Sequence, residues 1–209
     1  MNRLPSIVRQ HLAALRGLLL FTVICGIIYP VVMFGIAQGA FHNQANGSLV
    51  SYHGRVVGSS LLCQEFVDGK GNPLPQYFQP RPSNATSGDK NDFGCDPGFS
   101  AASNLGPNNP ELVQLIRQRQ KEYAALNHVA VSAIPPDAVT ASASGLDPYI
   151  SPANAALQVN RVAAERHISP AQVKALVQAN SMGRTLGFLG EPRVNVLTLN
   201  IALDEKYPA

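Results

Sequence analysis

Leu18 to Ala37 reads LLLFTVICGIIYPVVMFGIA, and no residue in it is charged. Only Thr22 and Tyr29 bring a hydroxyl, and each can bond within its own helix. At 1.5 Å rise per residue, a helix of about 20 residues covers the roughly 30 Å hydrocarbon core of a bilayer. A helix is also the single segment that satisfies its own backbone there. The stretch therefore divides the chain into a tail over 1–16, a membrane helix over 17–40 and a large domain over 41–209. A cleavable leader is the alternative, and Ala37-Gln38-Gly39 offers small residues at the right place. The apolar run is longer than the roughly 7–15 residues of a leader's core, which favours a retained anchor.

Charge orients this division. Arg3, Arg9 and Arg16 precede the apolar run, and the first acidic residue is Glu65. Basic flanks stay on the cytoplasmic side, so the tail is expected inside and the domain outside. The chain carries 16 Lys+Arg and 13 Asp+Glu. With the three tail arginines set aside, the remaining domain is balanced. The net charge of +3 is thus a topology signal, and no basic stripe with interleaved aromatics points to nucleic acid. Gly35 and Gly39 form a G-x-x-x-G pair, a face on which a second membrane helix can approach closely. Gly26 and Pro30 mark an expected kink.

Beyond the anchor the pattern is mixed, α+β, in a single domain. Asn109-Pro110, Ser151-Pro152 and Ser169-Pro170 each set a capping side chain before a proline at the first helical position. They predict helices over 110–126, 152–166 and 170–180. The first turns Leu112, Leu115, Ile116, Arg119 and Tyr123 to one stripe, the second Ala155, Ala156, Val159, Val162 and Ala163, the third Val173, Leu176 and Val177. Alternation of Leu197, Leu199, Ile201 and Leu203 predicts a strand over 193–203, with shorter strands at 55–57 and 60–67. Residues 68–109 are rich in Gly, Pro, Asn, Ser and Asp, and are expected as a surface loop that contacts a partner.

Chemistry is sparse. Ser87-Gly88-Asp89-Lys90 has S-x-x-K spacing but none of the motifs that accompany it in acyl-transfer enzymes. There is no nucleophile elbow, zinc-binding His pair or Walker loop, and the five histidines are scattered. No catalytic residue, metal site or resident cofactor is expected. Cys25 lies in the membrane run. Cys63 and Cys95 both fall in the outer domain, where oxidation is permitted, and are expected as a disulfide; two separate buried thiols are the alternative. The membrane helix has no ionisable group to carry an ion, so any role in transport requires partner subunits.

A set of runs then stands in order. They are Ala45-Asn46-Gly47-Ser48-Leu49, Val57-Gly58-Ser59-Ser60-Leu61, Tyr77-Phe78-Gln79-Pro80-Arg81-Pro82-Ser83, Ser103-Asn104-Leu105-Gly106-Pro107 and Val139 through Asp147. Val194-Asn195-Val196 and Leu199-Asn200 close the series. With the single anchor, they resemble the C subunit of the Kdp potassium-transporting ATPase over essentially the whole chain. The resemblance turns the Ala-Ser run Thr140 to Gly145, otherwise linker-like, into part of a family signature.

That resemblance implies a non-catalytic subunit of a bacterial inner-membrane complex. The implied partners are a channel-like A subunit that holds potassium, a B subunit that hydrolyses ATP and a small F subunit. It also implies a catalytic chaperone that raises the B subunit's affinity for ATP, with nucleotide contact near Ser103 and Asn104. This chain has Ser100-Ala101-Ala102-Ser103 where the family usually has a Gly-Gly pair. An outer loop is separated by a membrane from cytoplasmic ATP, so the chaperone effect is expected to act through helix packing. The outer domain is expected to cap the A subunit. Tyr77, Arg81, Pro82 and Ser83 are expected to dock it, the prolines limiting the freedom of Arg81; pairing of Arg81 with a local Asp is the alternative. The rival class is an independent membrane-anchored periplasmic enzyme or binding protein.

Overall fold

A computed structural model describes residues 5–90 and 92–208. Arg3 of the basic flank and Asn91, which follows Asp89-Lys90, lie outside the described residues. The chain falls into two units, residues 1–48 and 49–209.

The first unit is the apolar helix Ser6–Ala40, the one helix among the described residues long and apolar enough to cross a membrane. It starts at Ser6, so Arg9 and Arg16 lie on the helix and not in an irregular tail. Pro30 has no N–H to offer Gly26, and its ring crowds the preceding turn. The helix responds with a π turn over Ile24–Ile28, in which the Tyr29 N–H reaches back five residues to the Ile24 carbonyl. Gly35 and Gly39 are exposed, with open space where a Cβ would stand. After Phe41 comes the short helix His42–Ala45. The Asn46 amide donates to the His42 carbonyl (2.6 Å) and to Gln38 Oε1 (3.1 Å) there.

The second unit is α+β. It opens with the hairpin β1 (Leu49–Tyr52) and β2 (Arg55–Ser59), turned at His53 and Gly54, whose φ values of +48° and +76° fit a type I′ turn. Helices follow at Pro110–Asn127, Pro152–Glu165 and Pro170–Ala179. Each begins as its cap predicts. Asn109 accepts the Glu111 N–H, Ser151 accepts the Asn154 N–H, and Ser169 with Gln172 forms a reciprocal capping box. Strands β3 (Tyr149–Ile150), β4 (Ser181–Met182) and β5 (Arg193–Asn195) form an antiparallel sheet in the order β3-β5-β4. The core joins Val159, Val162, Val173, Leu176 and Val177 of the middle helices to Ile150, Val194, Leu199 and Leu203.

Four expectations change. The strand expected over 193–203 is a strand only to Asn195, and Val196–Lys206 is a helix. Asn195 caps it by accepting the Thr198 N–H at 3.1 Å. Val196, Leu199, Asn200 and Leu203 are buried at helical spacing, a period the every-other-residue leucines conceal. Residues 60–67 form no strand; the backbone there is taken by Leu146, whose carbonyl accepts the Cys63 N–H, and Val67 makes one bridge to Pro73. Ala156 is exposed, because the inward stripe of its helix runs through Asn154, Gln158 and Arg161. Finally, the 68–109 segment is not confined to the surface: Phe78 and Ala85 are completely buried.

Candidate functional site

After a bend at Tyr77, the segment Phe78 to Ser83 belongs to no helix or strand. Two side-chain amides take a strand's place. Asn200 accepts the Phe78 N–H and donates to the Phe78 carbonyl, both at 2.9 Å. Gln158 does the same for Gln79, at 2.7 and 3.1 Å. Successive residues of an extended chain turn their peptide groups to opposite edges, so Asn200 closes one edge and Gln158 the other. Arg161 adds a buried guanidinium. It donates to the carbonyls of Pro75 and Tyr77, to Asn127 Oδ1 (2.9 Å) and to Gln158 Oε1 (2.8 Å). Burial lowers its pKa to about 10. Neutral oxygens, not a carboxylate, hold this charge.

The residues expected to dock a partner are drawn into the same framework. The Tyr77 hydroxyl donates to Asp204 at 3.2 Å, and the Arg166 guanidinium lies 4.8 Å from its ring centre. Burial, then Asp204, raises the Tyr77 pKa. Arg81 pairs with Asp147 at 2.8 Å, and two more of its N–H groups reach the Thr140 carbonyl at 3.3 and 3.2 Å. Its guanidinium is therefore a clamp on the 140–147 loop, the local-Asp arrangement. Ser83 donates to the Gly145 carbonyl (2.7 Å) and accepts N–H groups from Ala85 and Cys95.

Three loops thus meet at Gly145. The Ala101 N–H and the Ser100 hydroxyl both reach the Ser144 carbonyl at 3.0 Å. Gly145 has φ +72°, and a Cβ there would stand 2.6 Å from the Ala101 carbonyl oxygen and 2.8 Å from the Ala85 nitrogen. Gly145→Ala is expected to cost about 2–3 kcal/mol, from the left-handed backbone and from overpacking against atoms that cannot rotate away. Gly88→Ala is the control: φ is +84° there, but the space is open. Comparable losses for the two variants in urea unfolding would show that close packing at Gly145 contributes nothing.

Ser103 and Asn104 sit beside this junction. The Ser103 hydroxyl accepts the Leu105 N–H at 3.4 Å, while Asn104 is exposed with φ +53°. They are adjacent to the junction without being part of it. Cys63 and Cys95 are joined by a disulfide, with Cα atoms 5.4 Å apart, which closes the 63–95 loop. Cys25 is free and exposed on the apolar helix.

One cavity lies against the segment and a second beside the disulfide. A groove of about 710 Å³ is lined by Gln79, Arg81, Pro82, Arg119, Glu122 and Tyr123, among others. Arg119 donates to the Val139 carbonyl at 3.2 Å, and burial lowers its pKa. A second cavity of about 510 Å³ borders the disulfide and includes Gly58, Asp92 and Asp96. Glu65 lines both. Among the described residues no group of His, Cys, Asp and Glu is arranged to hold a metal. The groove joins proline and aromatic surface to charges of both signs, a composition suited to holding a protein segment. Sequence reading gave Asn154, Gln158, Arg161 and Asn200 no role in the site, although Gln158, Arg161 and Asn200 stand in runs that carry the family resemblance. Their signal was present, as polar residues at core positions of amphipathic helices.

Comparison with known proteins gives matches over nearly the whole chain. The family model KdpC, described as K+-transporting ATPase, c chain, matches residues 11–205. The potassium-transporting ATPase KdpC subunit of Mycobacterium tuberculosis strain H37Rv is 48% identical over 197 residues, covering 94% of this chain and 98% of the relative. That of Geobacter sulfurreducens is 47% identical over 197 residues, covering 93% and 97%. That of Beijerinckia indica is 46% identical over 200 residues, covering 95% of each.

Proposed function

The chain belongs to the KdpC family, the c chain of the K+-transporting ATPase, and from that premise we propose that it holds the potassium-uptake complex together from the outer side of a bacterial inner membrane. It is an accessory subunit of that ATPase and not the catalytic one. The observation that carries the reading is the match over residues 11–205, which takes in both most of the apolar helix and the outer domain.

In this reading the helix Ser6–Ala40 crosses the membrane once, with Arg9 and Arg16 toward the cytoplasm. The open face at Gly35 and Gly39 receives a helix of a partner subunit. The 49–209 unit lies in the periplasm and caps the potassium-binding A subunit. Its groove, floored by the clamped 79–83 segment, is the seat for an A-subunit loop. A rigid floor suits that task, because little conformational entropy remains to be lost on binding. The catalytic-chaperone effect on the ATP-hydrolysing B subunit then acts through the membrane helix, by favouring one of that subunit's conformations. Ser103 and Asn104, on the periplasmic unit, are assigned no contact with ATP.

Capture of the chain from native membranes after potassium starvation is the test. Two larger membrane chains, the A and B subunits, are expected in the captured material. Recovery should fall several-fold for Glu122→Arg, which inverts charge at the groove, and for Arg81→Ala, which unclamps its floor. Isolation of the chain alone from those membranes would overturn the reading in favour of an independent anchored protein. Full recovery with both variants would remove the groove from the docking surface.

A further inference from the structure

Glu65 occupies an unusual place. Its carboxyl group is wedged between the disulfide-linked turn and the groove floor. A Cβ built on Gly94 would stand 2.4 Å from Glu65 Oε1 and 3.1 Å from the Ser83 Cβ, so the carboxyl, the turn and the floor meet at one point. Gly94, at φ +135°, carries no side chain to block this approach. With Val67 and Phe93, Glu65 lines both cavities. The disulfide holds the contact covalently, since Glu65 follows Cys63 by two residues and Gly94 immediately precedes Cys95.

The charged and titratable groups that share these cavities with Glu65 are few. Asp92 and Asp96 line the disulfide-side cavity, and the Asp92 charge acts on Glu65. Arg81, Arg119, Glu122 and Tyr123 line the groove side. Arg81 is committed to Asp147 and Thr140, and Arg119 donates to Val139. Among the described residues no cation pairs with Glu65. Asp92 is itself held ionised by the Ser87 side chain and backbone, which lower its pKa. A partly buried carboxyl beside a fixed negative charge, with no cation to answer it, is comfortable only when protonated.

We propose that Glu65 is a proton-operated latch: protonated, it stays packed against Gly94 and the groove floor, and ionised, it moves toward water and loosens Asp92 to Gly94, while the disulfide and the Ser83 bond keep Cys95 in place. Burial, and then the Asp92 charge, push the Glu65 carboxyl up to about 7 from its ordinary 4.5. The sign follows from linkage. A carboxyl whose pKa is raised in the seated state favours that state fully below about pH 4.5, and the preference is lost as pH rises through about 7. Latching would thus adjust the groove over the pH range met outside a bacterial cell. Only this last consequence rests on the docking reading; the latch itself is a property of the chain.

Hydrogen exchange of the 92–94 amides in the full chain, held in lipid nanodiscs, tests it. Measured as a ratio to Glu65→Gln at the same pH, exchange is expected to rise about tenfold between pH 6 and pH 8. A flat ratio would overturn the latch. If the Gln variant does not fold, carboxyl-carbon NMR of the parent gives the same decision. Glu65 should titrate near 7, and Asp92→Asn should move that value down, whereas titration near 4.5 would overturn the proposal. Neither readout involves a partner, so loss of the docking reading would leave the result intact, and failure here would leave co-purification unaffected.

Discussion

Arg161→Ala is expected to cost about 4 kcal/mol of domain stability, enough to threaten folding of a domain of ordinary margin. The side chain donates to four acceptors: the Pro75 and Tyr77 carbonyls, Asn127 Oδ1 and Gln158 Oε1. Truncation strands them in the interior, where each buried orphan costs about 1–3 kcal/mol and the losses are not additive. Gln158 is the critical neighbour, because its other bonds hold both peptide groups of Gln79. Losing Arg161 should therefore loosen the groove floor as well as the core. Arg161→Lys keeps the charge but not the planar fork, and should recover only part of the loss. Urea unfolding of the full chain in detergent, followed by near-ultraviolet tyrosine dichroism, measures both variants. A loss below about 1 kcal/mol for the alanine variant would show that water replaces the guanidinium without penalty.

Removing the disulfide is expected to have an effect of similar size. Cys63 and Cys95 are 32 residues apart in sequence. The chain-entropy relation for a loop of that length gives about 3–4 kcal/mol, acting mainly by restricting the unfolded chain. The loop encloses the whole 77–83 segment, so its unfolded freedom is substantial. Cys63→Ser with Cys95→Ser should therefore lower the urea midpoint, and a reductant should lower that of the parent to the same level. A midpoint unchanged in both experiments would mean that the unfolded chain is already compact across this loop. The double variant bears on the latch too: without the covalent tie, Glu65 and Asp92 can separate, and the Glu65 pKa should fall.

Local patterns were legible where physics is local. The apolar run needed no tertiary information, because the bilayer requires every backbone group to be satisfied within the helix. The three helix starts were legible because a capping side chain and a proline act within one turn, as the bonds from Asn109, Ser151 and Ser169 show. At the C-terminal end the same reading failed. Leu197, Leu199 and Leu203 satisfy a period of two, while Val196, Leu199 and Leu203 satisfy the helical one, and only packing selects between them. Arg81 shows a second limit of local reading. Neighbouring prolines made it look presented to a partner, but Asp147 and the Thr140 carbonyl, some sixty residues away, hold it within the domain.

Sequence alone determined that this protein has an apolar span, a charge-balanced domain after it with three proline-started helices, and the ordered runs that mark its family. Tertiary structure alone decided what the Tyr77–Ser83 segment is. Its hydrogen-bond partners are Asn200 and Gln158, 122 and 79 residues distant. A backbone group must find a partner when it is buried, but nothing in its own neighbourhood specifies which one. That choice belongs to the folded chain, which brings two helices to the two edges of one extended segment.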